Sequence, residues 1–289
     1  MTTYFLRLEI VRMLRDPKYL ALAVGAPIGF YLLFATLFGT LFGGGHTAPG
    51  QLPGTVEIMV EIMVAMAAYG AIWAVISTTG PRIAEERQIG WLEQVRAMPL
   101  SAASALGSKV VASVATALPA VILVCVTAAV VKGVQLSMGQ WVALVVAIWL
   151  GSIPFAALGI ALGFAVGADF AYPLSYGLNM AMSALGGLWV PPSVLPAATM
   201  LNVAYWLPTY HLAKLGWAIA AGELPDVASV LNLLGWTAGL AVLVLIAYLR
   251  PARRMGARAA TGPATDPGLA TDPSLAPDPS AAGTDRLAT

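Results

Sequence analysis

The chain has 289 residues, of which 59% are hydrophobic and only 10% charged, and its formal net charge is +1. Soluble domains carry about 25% charged residues, so this surface cannot be covered by charge and lipid must be its main solvent. The near-neutral balance gives no nucleic-acid signal. One cysteine (Cys125) and two isolated histidines (His46 and His211) make neither an internal disulfide nor a metal-ligand set.

The N-terminal element, 1–19, reads as an interfacial helix over 4–15. Leu6, Ile10, Met13 and Leu14 share one face, and Glu9, Arg12 and Arg15 share another, a pattern that lies flat at the headgroups. An extension of the first span is the alternative. Asp16-Pro17 ends the helix, because a residue before proline avoids helical geometry. Six apolar stretches follow at 20–42, 56–79, 110–131, 141–167, 174–190 and 227–249. A helix needs about 20 residues to cross the hydrocarbon core, and the fifth stretch is the shortest.

Thirteen of the fifteen Lys and Arg residues fall in alternate polar segments, and Lys132 and Lys214 are the two on the other side. Short loops rich in Lys and Arg stay in the cytoplasm. The expected fold is therefore an all-α integral membrane domain over 20–250, with six transmembrane helices and both termini cytoplasmic.

Between spans two and three, Pro81 opens and Met98-Pro99 closes a helix expected at about 83–96. It is charged (Glu85, Glu86, Arg87, Glu93, Arg96) yet carries Trp91, Leu92 and Val95. It is either a solvated loop helix or a docking helix for a cytoplasmic subunit. The segment 191–226 holds Pro191, Pro192, Pro196, Pro208 and Pro225. Its apolar pieces, 197–206 and 209–221, are too short to span and read as two re-entrant half-helices. Irregular backbone at that depth needs cover from protein or a water-filled cavity. Pro191, Pro192, Pro208 and His211 are thus a candidate outer gate. The tail, 251–289, repeats Asp-Pro every six residues among Ala, Thr, Ser and Gly, a composition expected to be disordered.

Few polar groups enter the spans. Glu57 and Glu61 lie four apart near the start of span two. They are either interface acids in water or an acidic patch meeting a cationic substrate at the outer exit. Asn179 in span five is either a helix–helix hydrogen bond or a ligand contact. Gly159, Gly163 and Gly167, like Gly25 and Gly29, recur every fourth residue, a spacing that lets backbones approach closely. Pro27, Pro119 and Pro154 predict bends in spans one, three and four.

The run 85–101, EERQIGWLEQVRAMPLS, closely resembles the signature between spans two and three of ABC-2 type permeases. Leu14-Arg15-Asp16-Pro17 is similar to that family's entry to span one. Leu207-Pro208-Thr209-Tyr210-His211, followed by Gly222, is similar to its re-entrant segment. The nearest branch is the drug exporters, such as the daunorubicin-resistance permeases. The resemblance implies one half of an exporter, in which two permease copies pair as a homodimer over two copies of a cytoplasmic ABC ATPase. Glu85, Glu86, Arg87, Gly90, Trp91, Leu92, Glu93 and Arg96 would then form the coupling helix. This sequence has no phosphate-loop motif, so no cofactor is expected on it, and ATP and magnesium would sit on the ATPase. The implied cargo is a hydrophobic or amphipathic drug, antibiotic or lipid leaving across a bacterial plasma membrane. A polysaccharide or lipid-linked glycan exporter, or a non-transporting scaffold or sensor partner, is the alternative.

Overall fold

The computed structural model describes residues 20–43, 53–90, 102–189 and 202–249. The expected interfacial helix and the tail lie outside them. The described residues form helices and no strands. A π-helical turn, Leu20–Gly25, leads into α1 (Ala26–Gly43). Then come α2 (Pro53–Gln88), α3 (Ala102–Lys132), α4 (Met138–Gly151), α5 (Ile153–Ala165), α6 (Ala168–Leu185), α7 (Pro208–Ala220) and α8 (Val227–Leu249).

The bundle is built around α2. Every residue from Ile62 to Ile76 is buried, as expected of a helix that is apolar all round. α1, α3, α5, α6 and α7 all pack on it. Four described stretches are long and apolar enough to cross a membrane: Ile58–Gln88, Leu106–Lys132, Met138–Ala165 and Val227–Leu249. A shorter apolar helix covers Ala23–Phe38. The last span has the bounds expected from sequence. The fifth does not: α6 begins at Ala168, takes in Pro173 and ends at Leu185. At 18 residues it is about 27 Å long, slightly under the ~30 Å hydrocarbon core.

Two proline expectations resolve differently. Pro154 does interrupt span four. α4 stops at Gly151, and α5 resumes with Pro154 in its first turn, where a missing N–H costs nothing. Pro81, in contrast, does not open a new helix, and the expected start at about residue 83 is corrected. α2 runs through Pro81 to Gln88 as one 36-residue helix. The physical reason is close packing of backbones at that level. A methyl placed on Gly80 would lie 2.8 Å from Ser175 Oγ and 3.2 Å from the Gly159 carbonyl oxygen. A methyl on Gly163 would lie 2.6 Å from the Gly80 carbonyl oxygen, and one on Gly159 would collide with the Thr79 hydroxyl. Contact of this kind outweighs the one backbone bond that proline removes. The spacing expectation therefore holds for Gly159 and Gly163. It fails for Gly29 and Gly167, where an added methyl meets nothing within 4 Å.

Candidate functional site

The charged end of α2 is tied to two neighbours. The Glu86 carboxylate accepts from Lys109 Nζ at 2.5 and 2.7 Å, which joins α2 to α3. Arg82 Nε lies 3.7 Å from the same carboxylate. Arg87 points to the last turn of α5. Its Nη1 donates to the carbonyls of Gly163 and Phe164, both at 2.7 Å, and reaches that of Val166 at 3.4 Å. Its guanidinium lies 5.8 Å from the Phe164 ring centre. The final carbonyls of a helix lack intrahelical partners and carry partial negative charge, so a cation there satisfies both needs. Glu85 is exposed. The helix ends in the turn Ile89-Gly90, where Gly90 takes φ +74°, a left-handed geometry that favours glycine. Trp91, Leu92, Glu93 and Arg96 lie outside the described residues, as do Pro191 and Pro192.

At the opposite end, Glu57 lies in the early turns of α2, four residues before the half-buried Glu61. The Glu61 backbone carbonyl accepts from Trp217 Nε1 of α7 at 3.0 Å. α7 is the second expected half-helix. Its 13 residues reach only about 20 Å, and both its faces are largely buried. Pro208 sits in its first turn, buried. Thr209 Oγ1 donates to the Met182 carbonyl at 2.8 Å. Gln140 Nε2 donates to the Ala220 carbonyl at 3.0 Å, capping the other end. His211 is a buried tie. Its Nε2 is 2.9 Å from the Tyr205 carbonyl and its Nδ1 is 3.0 Å from Ser229 Oγ. A carbonyl only accepts, so Nε2 carries the proton, and the Ser229 hydroxyl beside Nδ1 also donates to Asp226 Oδ2 at 3.4 Å. Lys214 Nζ pairs with Asp226 Oδ2 at 2.6 Å, and that hydrogen bond holds the Asp226 carboxyl below its ordinary range.

The interior holds polar groups but few titratable ones. Among the described buried residues, the polar ones are Ser, Thr, Asn179 and His211, with no Asp, Glu, Lys or Arg. Ser175, Asn179 and Ser183 form one fully buried face of α6. Asn179 faces Tyr69 of α2, although neither of its amide atoms meets the full distance-and-angle geometry of a hydrogen bond. Tyr69, close beside it, makes its own hydroxyl contact to Met180 Sδ at 3.9 Å. A cleft of about 370 Å³ lies between α4, α5, α7 and α8, lined by apolar side chains such as Leu150, Pro154, Leu215, Ile219 and Leu233. Among the described residues, no group of three His, Cys, Asp or Glu could hold a metal ion.

Sequence reading missed the partners of Glu86 and Arg87 and the caps on α7. One signal was available. Ser137 and Gln140 have the spacing of a capping box, and both of its bonds form at the start of α4. That box orients the helix end from which Gln140 reaches α7.

A helical bundle with several apolar spans, an uncharged interior and one charged helix end has the build of a membrane transport permease. Residues 2–218 match the ABC-2 type transporter family, and the chain belongs to that family. It is also similar to a Bacillus subtilis (strain 168) protein, YvfS, whose name designates a transport permease. The two are 25% identical over 242 residues, covering 84% of this chain and 94% of that protein.

Proposed function

We propose that this chain is the permease subunit of an ATP-driven exporter that carries a hydrophobic or amphipathic compound out across a bacterial plasma membrane. The observation that carries this reading is the interior: the described buried residues include no Asp, Glu, Lys or Arg. A path without fixed charge suits cargo taken from the bilayer better than ions or sugars, and intramembrane charges would be expected for ion-coupled transport. Family membership supports an ABC ATPase as the partner. In this reading two ATPase copies supply ATP and magnesium, and Trp91 and Leu92 dock on them. α6 turns Phe170, Leu174 and Leu185 outward while burying its polar face, which supports a second permease copy beside it.

The test uses inside-out membrane vesicles containing this chain and an ABC ATPase that co-purifies with it. Uptake of amphipathic fluorescent dyes should require ATP and should stop when this chain is omitted. Lack of ATP-dependent uptake across a panel of neutral and cationic dyes, with ATPase activity indifferent to the permease, refutes the exporter reading.

A further inference from the structure

Glu86 and Arg87 belong to the run that the family resemblance assigns to ATPase contact, yet both are engaged inside the chain. Glu86 holds Lys109 of α3, and Arg87 holds the terminal carbonyls of α5. We propose that these two residues form a two-point clasp that fixes the end of α2, and the segment leaving it at Ile89, to α3 and α5. They are positioning residues, and the exposed Glu85 is the member of the trio left facing outward.

The geometry favours a mechanical role over a merely neutralising one. Adjacent residues on a helix point in different directions, so Glu86 and Arg87 grip two neighbours from one turn. A single arginine nitrogen, Nη1, meets the helix end through the carbonyls of both Gly163 and Phe164 at 2.7 Å, so the contact is with the terminal turn and not with one residue. The element it grips is the half of span four beyond the break at Ser152. A movement of the segment after Gly90 is thereby delivered to α3 and α5 together instead of being lost in a flexible joint. That Trp91 and Leu92 engage an ATPase rests on the function proposed above; the clasp itself does not.

The test uses the permease alone in liposomes, with Cys125→Ala and paired spin labels. Ile89 is 75% exposed, Ala165 is exposed, and a side chain at Gly107 meets open space. Labels at 89 and 165, and at 89 and 107, should each give one narrow distance. Arg87→Ala should raise a second, longer 89–165 population about tenfold, the scale of one lost hydrogen bond to a charged group. Glu86→Lys should do the same for 89–107, and Glu86→Lys with Lys109→Glu should restore the narrow distance. A control pair at the exposed Val146 and Leu234 should not change. Unchanged distances in the single variants, a swap that fails to restore, or broadening of the control pair as well would each overturn the clasp. A second arm adds the ATPase. A shift of the 89–165 distance there would overturn the clasp, whereas unchanged mobility of the label at the exposed Ile89 counts against the partner reading alone.

Discussion

Gly159→Ala is expected to be costly because rigid atoms surround the site. The added methyl would collide with the Thr79 hydroxyl, lie 3.1 Å from Thr79 Cβ and 3.3 Å from Ile76 Cα. None of these is the end of a flexible side chain, so the helices must separate. Overpacking a filled core costs about 1–3 kcal/mol, and the upper end applies. Alanine returns about 1 kcal/mol of helix propensity, which leaves a net loss of about 2 kcal/mol and a Tm lower by about 4–8 °C. Cys125, 4% exposed, is a built-in reporter. A dye that fluoresces on reaction with thiols reads its exposure as the detergent-solubilised protein is heated. Thr79→Ala should recover about half the loss in the double variant, since contacts at closer than 7–10 Å couple. Alone it should cost little, because the Thr79 hydroxyl donates only within its own helix, to Val75 and Ile76. Gly29→Ala, where nothing lies within 4 Å, should leave Tm unchanged or higher. An unchanged Tm for Gly159→Ala, or no relief from Thr79→Ala, would refute the close crossing of α2 and α5.

Trp91→Ala with Leu92→Ala should leave the permease inserted but reduce ATPase recovered with it by at least tenfold, since apolar anchors often contribute about 2 kcal/mol or more to an interface; unchanged recovery removes the pair from docking. Because Lys214 lowers the Asp226 pKa, its stabilisation is present above the unfolded carboxylate value of about 3.9 and is lost as pH falls through the lower folded value. Asp226→Asn should therefore lower Tm at pH 7, read by tryptophan fluorescence, and the difference from wild type should shrink below about pH 4. Glu57→Gln with Glu61→Gln should reduce export of a cationic dye more than of its neutral analogue, with the difference smaller at high salt; equal losses place these acids outside the transport path. Single cysteines at Ser104 and Gly50, with Cys125→Ala, should label from opposite faces of intact cells and inverted vesicles, and labelling of both from one face overturns the charge-based orientation.

What the sequence made legible follows from hydropathy and local chemistry. The bounds of α8 match the last apolar stretch, and α7 was visible as a proline-led piece too short to span. Glycines at 159 and 163 announced a close crossing. Glycine at 29 has the same spacing and makes none, because spacing says nothing about what stands opposite. Pro81 was misread for the related reason that its local signal was overruled by α5 and α6, which lie far away in sequence. The fifth stretch was expected to begin at 174, yet α6 begins at Ala168, with Asp169 exposed in its first turn. The partners of Arg87 lie more than seventy residues away and are backbone atoms, which no reading of side-chain types could name.

Many ties between distant helices share that property. Arg87 to Gly163 and Phe164, Trp149 to Val114, Gln140 to Ala220, Thr209 to Met182 and Trp217 to Glu61 all run from a side-chain donor to a main-chain carbonyl. Every residue type supplies that carbonyl, so the bond itself makes no demand on the acceptor's side chain, whereas it does demand the donor's. Paired substitution between touching positions, the usual trace of contact in related sequences, would not arise at these joints. Each would surface instead as a solitary constraint on one arginine, glutamine, threonine or tryptophan, facing a partner whose side chain the bond leaves open.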